Sequence, residues 1–225
     1  MILTSTQIAN MIDISAVKTD SSLQEVDAII EAAIKYKFIA VFTLPCYGKY
    51  AKEKLAAQRG IMLGGTVGFP SGASTTTAKL FEAGELIDLG CDELDMVINV
   101  GKLKSRLFQD VNNDIKAIVK LAHGIPVKVI LEVSLLNEAE IIEGSKIIRD
   151  SGASFIKTGT GWFGPTTFDH IELIKKTVGN SIQLKVAGGV RKLETLIKMH
   201  EMGVSRFGIG HVSAINIMEE YLRSK

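Results

Sequence analysis

Residues 183–209 read QLKVAGGVRKLETLIKMHEMGVSRFGI, and the order of patterns in this stretch points to the fold. Gln183 to Ala187 is a short β-prone run that ends on Gly188-Gly189. Lys192 to Met202 carries a helical pattern, and Gly203 stands just past it, where a left-handed residue ends many helices. A second apolar run, Arg206 to Ile209, follows. Strand, helix and strand in that order predict two parallel strands joined by a helical crossover.

The same alternation extends toward the amino terminus. Further strands are predicted at Met11 to Ser15, Phe38 to Thr43, Met62 to Val67, Glu93 to Asn99, Val127 to Val133 and Ser154 to Thr158. Helices are predicted at Ser22 to Tyr36, Tyr47 to Gln58, Thr75 to Leu89, Val111 to Ala122, Glu138 to Asp150, Thr167 to Val178 and Val212 to Leu222. Asn137 ahead of Glu138 and Glu140 is a helix-start signal, and Gly60, Gly90, Gly152 and Gly179 sit where helices stop. Eight strand–helix pairs in 225 residues make about 28 residues per unit, close to the ~30 of a compact barrel. An open doubly wound sheet would alternate too. The count of eight, and the lack of a glycine-rich dinucleotide fingerprint after the first strand, favour closure. With no linker or shift of composition, the expected fold is α/β, a (β/α)8 TIM barrel, with residues 1–225 as one domain.

Composition narrows the function. Lys plus Arg number 26 and Asp plus Glu 25, so the net charge is +1, without the basic excess of a general nucleic-acid binder. Cys46 and Cys91 are far apart and form no CxxC or disulfide framework, which suits a reducing compartment. The start, MILTSTQIANMIDI, lacks the pattern of a secretory signal, and no apolar run is long enough to span a bilayer. A cytoplasmic protein without membrane partners is expected. His123, His170, His200 and His211 show no HxH or HExxH spacing, so no metal site is predicted.

Barrel enzymes place their chemistry where strands end, so charged residues inside apolar strand runs are informative. Asp95 lies within ELDMVIN, Lys157 within SFIKTGTG and Lys185 within IQLKVAGG; Lys128 and Glu132 belong to KVILEV. Any one of these taken singly reads most simply as a side chain snorkelling to the rim. Two lysines and an aspartate at similar depth read differently. Neighbouring sixth and seventh strands would bring Lys157 and Lys185 together, with Asp95 facing them across the mouth.

A lysine attacks a carbonyl only when neutral, and at an ordinary pKa only about one in 2,500 is neutral at pH 7. A second ammonium ~4 Å away, at an effective dielectric of ~20, is worth about 4 kcal/mol, enough to lower the lysine by roughly three pH units. Lys157 is thus the expected nucleophile, Lys185 its perturber and Asp95 a proton relay. For the amine to stay neutral, Asp95 should sit nearer to Lys185 than to Lys157, or act through water.

The chain resembles the deoxyribose-phosphate aldolase family over nearly its full length. The resemblance rests on TVGFPSGASTTTAKLFEA (66–83), CDELDMVINVGKLKS (91–105), KVILEVSLL (128–136), ASFIKTGTG (153–161) and LKVAGGVR (184–191). It implies a class I aldolase on a (β/α)8 barrel, with no metal and no cofactor. The family's Schiff-base lysine falls on Lys157, its second lysine on Lys185 and its aspartate on Asp95. The implied reaction is reversible cleavage of 2-deoxyribose 5-phosphate to acetaldehyde and glyceraldehyde 3-phosphate.

Glycine-rich turns before helices bind anions through backbone N–H groups. Gly188-Gly189 and Gly208-Ile209-Gly210 stand where barrel phosphate sites form, and Gly161 adds a donor. The same glycines would also serve as plain tight turns. Asp13, retained in the first strand, and Thr160 complete the expected substrate contacts.

The chain departs from the family at Ile14 and Ser15, at Phe42 and Leu44, at Gly159, and at Gly210-His211 in place of a serine-containing turn. It ends Tyr221-Leu222-Arg223-Ser224-Lys225, so a terminal tyrosine used by some relatives is not matched. Two alternatives stay open: a related Schiff-base aldolase for another sugar phosphate or aldehyde pair, and a barrel that binds a sugar phosphate without turnover. A homodimer is expected only by analogy with similar barrels.

Overall fold

The computed structural model describes residues 3–224. Met1 and Ile2, where the amino-terminal reading begins, and the terminal Lys225 lie outside the described residues. Eight parallel strands close into a barrel in sequence order among the described residues. They are β1 (Ile12–Ala16), β2 (Ala40–Thr43), β3 (Met62–Val67), β4 (Glu93–Val97), β5 (Val127–Ile130), β6 (Phe155–Lys157), β7 (Gln183–Ala187) and β8 (Arg206–Gly210). A short helix, α1 (Ser5–Ala9), precedes β1, and α2 (Leu23–Tyr36), α3 (Gly48–Leu55) and α4 (Thr76–Asp88) follow the first three strands. After β4 come α5 (Val100–Lys104) and α6 (Phe108–Leu121); then α7 (Glu138–Asp150), α8 (Phe168–Val178), α9 (Leu193–Glu201) and α10 (His211–Arg223) complete the ring.

Local chemistry sets several boundaries. The Asn137 side chain accepts the Glu140 N–H at 3.0 Å while Glu140 accepts the Asn137 N–H at 2.9 Å, a reciprocal cap that starts α7 as the sequence predicts. The five glycines expected to end helices all have positive φ. Two short helices escaped the sequence reading. Asn99 caps α5 through the Lys102 N–H, so a residue read as the end of a strand opens a helix. The Thr4–Gln7 capping box opens α1. The fifth strand is shorter than Val127 to Val133: it stops at Ile130, and Glu132 adopts a left-handed conformation before a 3-10 turn, Val133–Leu135.

The period-two alternation separates two interiors. Ile12, Ile14, Val41, Leu63, Leu94, Met96, Val129, Ile156, Val186 and Phe207 belong to the apolar core that includes buried helix residues such as Ile29, Ile115, Ile148 and Ile217. The intervening positions Asp13, Glu93, Asp95, Lys128, Lys157, Lys185 and Arg206 meet one another across the barrel in ion pairs. An apolar sleeve thus encloses a charged lumen, and that lumen is the floor of the site.

Candidate active site

Lys157 and Lys185 are register partners on β6 and β7, so the pleat puts both side chains in the lumen at one level. Each ammonium donates to the same oxygen, Asp95 Oδ2, at 2.7 Å. The expectation that Asp95 would sit closer to Lys185 is therefore not met. Nor does Asp95 face across the mouth; it is fully buried beneath the two lysines. Lys185 differs from Lys157 in touching a second carboxylate, Asp13 Oδ2, at 2.5 Å.

The remaining charges extend the floor. Arg206 Nε donates to Asp13 Oδ1 at 2.8 Å, and its Nη2 contacts both Asp13 and, at 2.8 Å, Glu93. Lys128 pairs with Glu93 and lies 3.5 Å from Asp95 Oδ1. Four basic side chains, Lys128, Lys157, Lys185 and Arg206, thus face three carboxylates, Asp13, Glu93 and Asp95. Within these ion pairs the cations outnumber the carboxylates by one, and burial disfavours the charged form of an amine.

The electrostatics select Lys157. Burial lowers its pKa to about 8, with the Lys185 ammonium adding to the decrease and Asp95 opposing it. Burial also works against the charge of Lys185, but Asp13, Asp95 and Glu93 overcome it and raise that lysine above its ordinary value. Burial alone would raise Asp95; Lys157, Lys185 and Lys128 instead hold its carboxyl far below the usual carboxylate range. The second lysine is therefore a lesser cause than desolvation. What separates the two amines is the extra carboxylate on Lys185.

Phe42 lies with its ring among the lysines of the lumen. Its ring centroid lies 4.1 Å from Lys185 Nζ, 4.8 Å from Lys128 Nζ and 6.0 Å from Lys157 Nζ, and its face attracts those cations. Gly64 makes the ring possible, since a Cβ there would lie 2.1 Å from Phe42 Cζ.

Above this floor a cavity of about 380 Å³ opens at the carboxyl ends of the strands. Lys157 and Lys185 reach its base, and Asp13 lines it although its carboxylate is taken up by Lys185 and Arg206. Thr160, Gly161, Gly188, Gly189, Gly208 and Gly210 line it too. Gly188 and Gly189 have φ of 88° and 90°, and a Cβ on Gly188 would stand 2.7 Å from the Gly164 carbonyl oxygen. Gly210 is the N-cap of α10, whose first residues His211, Val212 and Ser213 also reach the cavity. Lys18 and Arg191 add positive charge to the same walls. Trp162 roofs the other side: its Nε1–H donates to the Val17 carbonyl at 3.2 Å and its ring meets Phe69 edge-on at 6.0 Å.

Sequence reasoning missed Glu93 and Arg206, which stand two residues before Asp95 and Gly208 on the same inward face. Extending the period-two count one step down each strand finds both. Tyr221 points away from the chemistry, its hydroxyl donating to the Leu3 carbonyl at 2.9 Å. Among the described residues no three His, Cys, Asp or Glu side chains are grouped to hold a metal ion, and no helix is long and apolar enough to cross a membrane.

Known proteins share the sequence pattern and the barrel. The model of the DeoC/LacD family aldolases matches residues 7–219. Deoxyribose-phosphate aldolase 2 of Staphylococcus aureus (strain MRSA252) is 44% identical over 212 residues, spanning 94% of this chain and 95% of that protein. Among solved structures, an aldolase named QR15 superposes with a TM-score of 0.89 at 34% identity, covering 96% of each chain. A deoxyribose phosphate aldolase from Aeropyrum pernix, described as a unique tetramer, superposes with a TM-score of 0.88 at 25% identity, covering 99% of this chain and 94% of that one. A match that runs through all eight strands makes this chain a member of the DeoC/LacD aldolase family, and so a lyase.

Proposed function

We propose that this chain, acting as one barrel domain, is a class I aldolase that reversibly cleaves 2-deoxyribose 5-phosphate to acetaldehyde and glyceraldehyde 3-phosphate. The observation that carries the reading is the unequal sharing of carboxylates: Lys157 contacts one, Lys185 contacts two, and only Lys157 is lowered toward neutrality.

In this reading neutral Lys157 adds to the C1 aldehyde, and the carbinolamine loses water to give an iminium ion. Deprotonation of the C3 hydroxyl then sends the C2–C3 bonding electrons into the iminium, releasing glyceraldehyde 3-phosphate and leaving an enamine. Protonation at C2 and hydrolysis free acetaldehyde and return the amine. Lys185, held charged by Asp13 and Asp95, stabilises the developing negative charge, and Asp95 relays protons between the two amines. Gly188, Gly189, Gly208 and Gly210, with the amino end of α10, would take the phosphate, and Thr160 and Gly161 the sugar chain between. Asp13 is read as a positioning residue for Lys185 rather than a ligand, because its oxygens are already engaged.

Phe42 in the lumen and the serine-free Gly210-His211 turn favour one variation, an aldolase of the same mechanism with a different aldehyde partner. Borohydride reduction with acetaldehyde, followed by peptide mapping, is expected to label Lys157. Label on no lysine with any aldehyde would refute both enzyme readings. A retro-aldol assay with 2-deoxyribose 5-phosphate separates them, because only the first expects robust cleavage.

A further inference from the structure

Just past the end of the β5–β6 ladder, the pairing of the two segments changes register at Glu132. Leu131 donates its N–H to the Lys157 carbonyl at 2.8 Å, and Val133 donates to the Thr158 carbonyl at 2.9 Å. Two residues on one chain segment thus advance against one on the other. This is a bulge-like step just past the end of the β5–β6 ladder, and Glu132 is the additional residue. Its backbone sits at φ 61° and ψ 56°, a conformation that side chains of this kind seldom adopt.

The bulge carries a buried acid under the segment that bears Lys157. Glu132 is fully buried, and Oε2 accepts the Thr160 N–H at 3.0 Å. The Ser134 hydroxyl stands 3.5 Å from Oε1. Gly159 leaves space for the carboxylate, since a Cβ there would come within 2.9 Å of Oε1. Burial pushes the Glu132 carboxyl up, while the Thr160 hydrogen bond and the Lys157 ammonium pull it down. An apolar residue would fill this place without desolvating a carboxylate, so packing does not account for the acid.

We propose that Glu132 is a positioning residue for the aldol reaction, with the bulge aiming its carboxylate to hold the Lys157–Thr160 segment in the geometry that presents the amine to the carbonyl. Three ties support this: the carbonyls of Lys157 and Thr158 are held by Leu131 and Val133, and the Thr160 amide by Glu132. The hold passes on to the cavity wall, where Thr160 Oγ1 accepts the Trp162 N–H at 3.1 Å. Glu132 lines no part of the cavity and acts through these partners.

The proposal rests on Lys157 as the Schiff-base residue, and one experiment tests both. Wild-type protein, Glu132→Gln and Glu132→Ala are trapped with acetaldehyde and borohydride across about pH 6 to 10, with the Lys157 peptide quantified and folding checked by circular dichroism. Glu132→Ala is expected to label Lys157 about 100-fold more slowly, as a displaced reacting group would. Glu132→Gln should recover at least about tenfold of that loss, because its amide oxygen still accepts the Thr160 N–H. In both variants the pH midpoint of labelling should fall, since a negative charge near Lys157 is gone. If Glu132→Ala does not fold, the midpoint of Glu132→Gln decides alone. Labelled wild type beside an equally fast Glu132→Ala overturns this proposal alone, as does an unchanged midpoint in Glu132→Gln. Wild type that takes no label overturns the Schiff-base reading and this proposal with it.

Discussion

Lys157 and Lys185 share one oxygen of Asp95 at equal distances of 2.7 Å, and only Lys185 has another carboxylate to turn to. Equal hydrogen bonds cannot distinguish the two amines; the second contact does. Asp13 anchors the positive charge on Lys185, and burial works on Lys157 with Asp95 as its one ion-paired carboxylate. Nucleophile and fixed cation thus arise from the same residue type by count of partners.

Lys185→Met is expected to slow adduct formation on Lys157 and to move its pH midpoint upward from about 8, because a neighbouring cation that disfavours the charged amine is removed and Asp95 is left to Lys157. Each pH unit of rise costs about tenfold in the neutral fraction at pH 7. Trapping rates measured against pH decide it. A midpoint that stays near 8 would show that burial alone sets the amine.

Asp95→Asn is expected to move the same midpoint the other way, below about 8, since Asp95 is the group that favours the protonated Lys157. Turnover should nevertheless fall by about 100-fold or more through loss of the relay. Stability should fall by about 3–5 kcal/mol, with two buried cations short of a partner. The carboxyl of Asp95 has a folded pKa below its unfolded value, so its contribution is complete above about pH 4 and lost only as pH falls through the folded value. Urea melts of both proteins should therefore show a gap that holds from neutrality down to about pH 4 and closes only in stronger acid.

The alternation of strands and helices was legible because each apolar run is bounded by glycine or by a capping side chain. β3, β7 and α7 keep the bounds predicted for them. β5 was overextended because Val129, Leu131 and Val133 continue an apolar alternation straight through the bulge, and a left-handed Glu132 leaves no local signal. In the site, Lys157, Lys185 and Asp95 stood out as charges within apolar runs. Glu93 and Arg206 did not, because each is the first residue of its strand and reads as rim; closure and tilt of the barrel place them inside. The balance of partners on each amine depends on contacts between four strands, β1, β4, β6 and β7, which no local pattern encodes.

Gly188→Ala is expected to weaken the phosphate side of the site without touching the amines. The residue has φ of 88°, and the new methyl would stand 2.7 Å from the Gly164 carbonyl oxygen, so the turn after β7 must shift. A stability loss of about 1–3 kcal/mol follows from the backbone strain. KM for 2-deoxyribose 5-phosphate should rise about tenfold or more, while trapping of acetaldehyde on Lys157 stays within about threefold of wild type. Equal losses with both compounds would move the anion site elsewhere on the rim.

Lys157→Met should abolish the adduct and make the protein more stable at neutral pH. The sign follows from linkage. Lys157 has a folded pKa of about 8 and an unfolded pKa near 10.5, so between those values the unfolded chain binds the additional proton and stability rises with pH. Below pH 8 the folded protein therefore carries a penalty for keeping this amine charged and buried, on the order of 3 kcal/mol. Methionine has a similar length, carries no charge, and leaves Asp95 bonded to Lys185 at 2.7 Å and near Lys128 at 3.5 Å. The variant's advantage in urea melts should be largest at pH 7 and should shrink between about pH 8 and 10.5, as the wild-type lysine loses its proton in both states. A variant less stable than wild type at pH 7, or an advantage independent of pH, would mean that the ion pair with Asp95 outweighs desolvation and that Lys157 is not the strained member of the pair.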